Sequence, residues 1–193
     1  QTPYGRAKRE AEAAVINWGK QHSVHVAVLR PPMVLGAGAK GNTIEMLRQV
    51  QRGRMPPLPE FGNRRSLVHV QDLVDALIHV SRCESAAGGC FFVADARAYS
   101  TRELLDAMRV VCAVGVPAWS IPSGVLTCIA MLGDFGEKLL HRRLPLNTER
   151  LAKLAESAHY SSELLAQTTT FRCRRTLTEA LREMRDQLRQ ATC

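Results

Sequence analysis

Apolar residues along the chain follow two alternating periods, one typical of amphipathic helices and one typical of buried strands. Helical spacing of the apolar positions predicts a helix over residues 3–19. A β-branched run then predicts a strand over residues 24–29 that is covered on both faces, as in a parallel sheet. Two further apolar runs predict strands over residues 65–70 and 90–94. This alternation indicates an α/β fold.

Capping residues mark where two of the predicted helices begin. Asp72 is expected to cap a helix that runs through residue 81, because its carboxylate can accept hydrogen bonds from the first-turn amides. The apolar stripe of that helix is expected to comprise Leu73, Ala76, Leu77 and Val80. Ser100 and Glu103 have the capping-box spacing and predict a helix that ends near residue 111.

The remaining helices are predicted from apolar spacing and from the breakers between them. They cover residues 42–52, 147–155, 161–167 and 176–189. The apolar stripe of the last helix is made of Leu177, Ala180, Leu181, Met184 and Leu188. From residue 117 onward the chain is therefore predicted to be mainly helical.

Composition narrows the class of partner. Among 193 residues, 26 Lys and Arg stand against 18 Asp and Glu, a formal net charge of +8 that favours anionic partners such as phosphates. Adjacent basic residues occur at Arg64-Arg65, Arg142-Arg143 and Arg174-Arg175. Because only 5% of the residues are aromatic, stacking platforms for single strands are sparse, and no nucleic-acid partner is expected.

The six cysteines, which include Cys193, lack the spacing of a metal site. No CxxC motif occurs, so we expect no metal and interpret the cysteines as reduced thiols of a cytoplasmic protein. The least polar stretch, residues 117–133, is shorter than the roughly 20 apolar residues that cross a bilayer. It is expected to form a core helix or, through residues 121–132, a peripheral membrane contact. Because the chain begins at Gln1 without an initiator methionine, we expect it to be a fragment.

Tyr4 and Lys8 form the sharpest candidate for chemistry. Their four-residue spacing places the phenol and the ammonium on one helix face. A neighbouring ammonium stabilises a phenolate and lowers its pKa from about 10, so that the tyrosine can exchange a proton with a substrate hydroxyl. A solvated surface pair is the alternative, because this spacing also arises by chance in helices.

Three blocks of sequence occur in a fixed order. They are PYGRAKREAE at residues 3–12, LRPPMVLG at residues 29–36 and RSLVHVQDL at residues 65–73. In this order they resemble the extended short-chain dehydrogenases/reductases, the NAD-dependent epimerase/dehydratase family. Residues 63–68 are particularly similar to the UDP-sugar epimerases of bacterial surface-polysaccharide pathways. The likeness continues over residues 89–105 and loses definition after about residue 118.

The resemblance implies an acid/base pair and a nicotinamide contact. Tyr4 is the expected acid/base, and Lys8 is expected to lower its pKa and to hold the nicotinamide ribose. Pro31 and Met33 are expected to lie against the nicotinamide and the substrate. Met33 stands where several epimerases have an asparagine, which weakens the expectation of a polar sugar contact there.

The resemblance also implies a site for the substrate diphosphate. Asn42 and Arg65 match the asparagine and the arginine that meet this group, and a guanidinium fork suits a diphosphate better than an ammonium does. An ordinary helix cap is the alternative for Asn42. His69 is expected to be a packed strand residue rather than a base.

The fold implied by the resemblance is the C-terminal portion of a Rossmann-type doubly wound sheet with a small, mostly helical substrate-binding cap. Residues 1–116 would belong to the NAD(P)-binding domain and residues 117–193 to the cap. The glycine-rich turn that seats a cofactor pyrophosphate, and the Ser or Thr of the family's proton relay, do not occur in this chain. We therefore expect these 193 residues to be inactive alone.

The function expected from the resemblance is that of an NAD-dependent sugar-nucleotide epimerase/dehydratase acting on a UDP-sugar, in surface-polysaccharide synthesis. NADP is an alternative cofactor, and a homodimer is expected at full length. One alternative is a reductase or dehydratase with another substrate. Another is a non-catalytic binding or scaffold fragment.

Overall fold

The computed structural model describes residues 3–140 and 147–190, with the backbone alone at residues 138–140. The basic pair Arg142-Arg143 and the last cysteine, Cys193, lie outside these residues. Helices and strands alternate through the first half of the chain, and helices follow in the second half.

The helices and strands have the following bounds. The helices are α1 Pro3–His22, α2 Asn42–Gln51, α3 Val70–Ser81, α4 Thr101–Val111, α5 Ser123–Leu140, α6 Thr148–Ala155, α7 Glu163–Thr169 and α8 Leu177–Gln190. The strands are β1 Val28–Arg30, β2 Met33–Leu35, β3 Leu67–His69 and β4 Cys90–Phe92.

The strands pair in parallel, as the α/β prediction requires. β1 pairs with β4, with Val28 opposite Cys90, and β2 pairs with β3, with Met33 opposite Leu67. Parallel neighbours need a crossover between them, and α2 and α3 lie in the connections that provide it. The predicted α/β class is confirmed.

The first strand differs from its prediction. A strand was predicted over residues 24–29 with both faces covered, but β1 spans only Val28–Arg30 and its residues are half-buried. Val24 is exposed. The physical reason lies in α1, which buries only Gly19 and so gives the segment little cover. After the two prolines, pairing resumes at β2 with a different partner strand, a pairing that the sequence pattern did not predict.

Two apolar clusters form the core. The larger cluster joins α2, α4 and α8 to Leu126 of α5, and it contains all five residues of the stripe predicted for the last helix. That prediction is confirmed. The smaller cluster packs Val68, Ala76, Val80 and Phe91 together with Leu165 of α7. The larger cluster draws on residues from both sides of position 117, and the division into residues 1–116 and 117–193 stays a prediction.

The capping predictions divide into one success and one failure. Ser100 and Glu103 form the capping box of α4, as predicted. Asp72 does not cap α3, because the helix begins at Val70 and the His69 side chain accepts the hydrogen bond from Gln71 N. The predicted stripe of α3 is wrong at Leu77, which is 52% exposed.

Asp72 has a different role from the predicted cap. It is buried inside the first turn of α3 and accepts hydrogen bonds from the backbone nitrogens of Arg174 and Arg175, at 3.2 and 2.9 Å. The Arg175 guanidinium adds an ion pair at 2.7 Å. Asp72 therefore fixes the segment that leads into α8 rather than the start of its own helix.

Candidate functional site

Tyr4 and Lys8 lie together on the first helix, as their spacing predicted. Pro3 begins α1, a position where the missing amide of proline costs nothing. The Lys8 ammonium nitrogen lies 5.8 Å from the centre of the Tyr4 ring, which is within range of a cation–π contact. Tyr4 is 73% exposed. The pair therefore lies at the surface of the described structure and not in its core.

One ion pair joins the helix that carries Tyr4 to strand β1. Arg30 Nε donates to Glu12 Oε1 over 3.0 Å, and its Nη2 donates to the second carboxylate oxygen. This bidentate hydrogen bonding by Arg30 holds the pKa of Glu12 below its ordinary value, and the carboxylate raises the pKa of Arg30. Arg30 also lies over the Phe92 ring at 5.7 Å. The joint orients α1 against the strand that leads to the two prolines.

Glu12 was not recognised as a site residue from the sequence. It continues the four-residue spacing of Tyr4 and Lys8, so the signal was present in the helix period. The role of Glu12 depends on its ion pair with Arg30, which lies on strand β1 and not on the same helix.

Met33 and the start of α2 are brought together. Thr43 Oγ1 lies 3.4 Å from Met33 Sδ, and Thr43 itself is buried. Asn42 is exposed at the first position of the helix. The cap residue is Gly41, with a φ of 78°, so the helix-cap explanation of Asn42 is wrong. Asn42 therefore does not serve as the N-cap of α2.

Arg65 is held at the crossing of three segments. Its backbone pairs with Tyr99 on one side and with Ala158 on the other. Its Nη2 donates to the carbonyl of Lys153, while its buried Nε has no hydrogen-bond partner among residues 3–140 and 147–190. Arg64 is more exposed and lies 3.9 Å from the Glu103 carboxylate. One donor of the Arg65 guanidinium is thus buried and unpaired within the described residues.

Asn63 anchors the segment that carries the arginines, and sequence reasoning did not identify it. Its side chain is 2% exposed, and its Oδ1 accepts from Thr101 N at 3.1 Å. Its Nδ2 lies 2.9 Å from Thr101 Oγ1 and 3.1 Å from the carbonyls of Leu154 and Glu156. One amide therefore ties the loop before β3 to the start of α4 and the end of α6.

His69 is buried, as expected of a packed strand residue. Its Nδ1 accepts from Gln71 N at 3.1 Å, and its Nε2 points toward Glu183 on α8. No hydrogen bond or ion pair within the described ranges joins the Tyr4–Lys8 pair to Arg65. The site residues therefore fall into three groups, centred on α1, on β2 with α2, and on Arg65.

The described residues give little sign of a metal site, a reactive thiol or a membrane-spanning helix. Within the described ranges, no three His, Cys, Asp or Glu residues are placed to hold a metal ion. Burial raises the pKa of the Cys173 thiol to about 12, which keeps that thiol protonated. None of the helices that the structure describes is long and apolar enough to cross a membrane. α5 exposes a row of apolar side chains that includes Ile129, Leu132 and Phe135.

Comparison with known proteins identifies relatives for the part of the chain that carries the predicted site residues. Residues 1–93 match the model of the NAD dependent epimerase/dehydratase family. A UDP-glucose 4-epimerase from Vibrio cholerae is 34% identical over 146 residues, which are 73% of this chain and 43% of that protein. A second relative, an uncharacterised protein of Sinorhizobium fredii, is 32% identical over 132 residues, which are 68% of this chain and 33% of that protein. The chain spans less than half the length of these curated relatives.

Solved structures share the fold. A UDP-glucose 4-epimerase from Thermotoga maritima, solved with UDP-glucose, has a TM-score of 0.70 at 14% identity, covering 100% of this chain and 55% of that one. The Bordetella bronchiseptica enzyme WbmF, solved with NAD+ and UDP, has a TM-score of 0.68 at 17% identity, covering 99% and 53%. The match of residues 1–93, the curated relatives and the shared fold agree with the three ordered blocks of sequence. The chain belongs to the NAD dependent epimerase/dehydratase family.

Proposed function

We propose that this chain forms the acid/base and substrate-contacting part of an NAD(P)-dependent sugar-nucleotide epimerase/dehydratase acting on a UDP-sugar. The observation that carries the proposal is that Tyr4 and Lys8 lie together at the exposed start of α1, with the Lys8 ammonium nitrogen 5.8 Å from the centre of the Tyr4 ring. The similarity to the UDP-glucose 4-epimerase of Vibrio cholerae supports the substrate class.

Tyr4 is the proposed acid/base, and Lys8 its electrostatic partner. NAD(P), when bound, supplies the acceptor and donor of the hydride that leaves and returns to a sugar carbon. The Tyr4 phenolate takes the proton of the sugar hydroxyl as that hydride leaves, and returns it when the carbonyl is reduced. A positive charge near a phenolate favours it, and Lys8 is the proposed source of that charge.

Pro31 and Met33 are the proposed contacts to the nicotinamide and the substrate. Pro31 follows directly after β1, the strand that the Glu12–Arg30 ion pair joins to α1. Met33 is half-buried and already contacts Thr43 through its sulfur. A thioether offers an adaptable apolar surface and no strong donor, so the residues present fit a flat aromatic ring better than a sugar hydroxyl.

Arg65 and Asn42 are the proposed contacts to the substrate diphosphate. The buried Nε of Arg65 has no partner among the described groups, and burying a charged donor unpaired is costly. A diphosphate oxygen would satisfy this donor if the groups that cover it moved aside on binding. Asn42 is exposed at the first position of α2, where the helix dipole favours an anion.

The wider setting of the reaction is part of the same proposal. We place the reaction in the cytoplasm, in surface-polysaccharide synthesis, with a homodimer formed at full length. α1 supports the dimer, because almost its whole surface apart from Gly19 is left uncovered. The exposed apolar row of α5 supports the alternative of a peripheral membrane contact.

Calorimetry with NAD tests the proposal. Binding is measured with this chain and with a protein extended upstream through a glycine-rich βαβ unit. We expect binding and UDP-sugar turnover by the extended protein only, with turnover lost in Tyr4→Phe. If neither protein binds NAD, the enzyme proposal fails and a scaffold role is favoured.

A further inference from the structure

The glycine-rich loop at residues 36–41 is held by the last helix of the structure. Ala37 N donates to Glu183 Oε2 over 3.1 Å, and Gly38 N donates to Gln187 Oε1 over 2.8 Å. Because Glu183 and Gln187 are four residues apart on α8, their side chains project from the same helix face. Two successive loop amides are thus bound by one helix, at sequence separations of 146 and 149 residues.

Gly36 brings the loop unusually close to this helix. Its φ is 124°, a conformation that favours glycine. A Cβ atom there would lie 2.7 Å from Val70 Cγ1 and 3.2 Å from Glu183 Oε2. Any side chain at this position would displace one of these neighbours, so the close contact between the loop and the carboxylate depends on glycine.

A buried imidazole faces the same carboxylate. The His69 side chain is 2% exposed, and its Nδ1 accepts from Gln71 N, so the neutral ring carries its proton on Nε2. That Nε2 lies 3.3 Å from Glu183 Oε1 and has no hydrogen-bond partner within residues 3–140 and 147–190. Glu183 therefore turns one oxygen toward the end of β3 and the other toward the loop.

We propose that Glu183 is a positioning residue, which sets the conformation of loop 36–41 by accepting a hydrogen bond from Ala37 N through one carboxylate oxygen while the other oxygen faces the buried His69 ring. The proposal rests on the proposed function, in which this loop directly follows the β2 strand that contacts nicotinamide and substrate. Glu183 is 44% exposed and lies outside the buried stripe of α8, so its two contacts are separate from core packing. Its removal frees the Ala37 amide, while Gln187 still holds Gly38 and the helix stays folded.

Amide hydrogen exchange of this chain, followed by NMR, tests the link directly. Glu183→Ala is expected to speed exchange of the Ala37 amide at least about tenfold, because a hydrogen bond to a charged acceptor is lost. Glu183→Gln retains an acceptor and is expected to keep most of the protection. Asp186→Ala, on the same helix but paired with Arg185, is the matched control and should leave the loop unchanged. Unchanged exchange of Ala37 in Glu183→Ala overturns the proposal.

Kinetics of the upstream-extended protein separate this proposal from the proposed function. In Glu183→Ala, the KM for the UDP-sugar is expected to rise about tenfold while kcat changes by less than about twofold. A freed Ala37 amide with an unchanged KM overturns the positioning role. If the unsubstituted protein shows no turnover, the proposed function fails, and the exchange measurement alone decides whether Glu183 sets the loop.

Discussion

Replacing Asn63 by aspartate is expected to weaken the joint between the loop before β3, the start of α4 and the end of α6. The substitution keeps the shape but exchanges the Nδ2 donor for an oxygen that faces the carbonyls of Leu154 and Glu156. Leu154 retains a hydrogen bond from Thr101 Oγ1 at 2.6 Å, whereas Glu156 loses its Asn63 donor. A part-buried carbonyl that loses its donor costs about 1–3 kcal/mol, and a buried carboxylate whose one remaining donor among the Asn63 partners is Thr101 N adds several more. We therefore expect the free energy of unfolding to fall by about 4 kcal/mol.

Urea unfolding followed by circular dichroism measures this loss. A deficit of about 4 kcal/mol is a large fraction of the 5–15 kcal/mol that stabilises a typical domain, so the midpoint should move strongly at a constant m-value. Asn42→Asp is the matched control, because the same chemical change at the exposed first position of α2 should change the free energy by less than about 0.5 kcal/mol. A loss below about 1 kcal/mol for Asn63→Asp would show that the amide does not hold the three segments together.

Three further predictions concern the core, the α1 joint and the acid/base. Leu181→Ala, in the fully buried stripe of α8, should cost about 2–5 kcal/mol in urea unfolding, whereas Leu77→Ala on the exposed face of α3 should cost under about 0.5 kcal/mol; equal losses would contradict the assigned burial. Because the folded-state pKa of Glu12 is depressed by Arg30, the stability from this pair is present above about pH 4.5 and is lost as the pH falls through the folded value. Glu12→Gln should therefore reduce the acid sensitivity of the melting temperature, and an unchanged profile would refute the link. In the upstream-extended protein, Tyr4→Phe should lower kcat about 10²–10⁴-fold while NAD binding by calorimetry is unchanged.

Features that depend on local spacing were predictable from the sequence. The capping box of Ser100 and Glu103 needs only a hydroxyl and a carboxylate three residues apart at a helix start, and both side chains are used that way. The apolar stripe of α8 follows from the helical period, and all five of its residues are buried in the larger core cluster. The Tyr4–Lys8 contact follows from the same period.

The family could also be predicted from the sequence, because three motifs occur in a fixed order along the chain. Three short blocks in sequence indicated the family, and the match of residues 1–93 confirms it. No single block has that specificity, because a tyrosine and a lysine four residues apart occur by chance in many helices. The roles of the individual residues remain proposals.

Partners that are distant in sequence were settled only by the tertiary structure. Asp72 was predicted to be a helix cap because the backbone amides that follow it in sequence are the nearest donors. In the structure, the backbone amide of Arg174, 102 residues later in the chain, donates to it instead. Asn63 and Glu183 likewise acquire their roles from groups 38 to 146 residues away. A polar side chain forms a hydrogen bond with whichever suitable group the fold brings within about 3 Å. The residue type and its position in the helical or strand period therefore determine which groups it is able to bind. Only the packing of helices and strands determines which group it does bind.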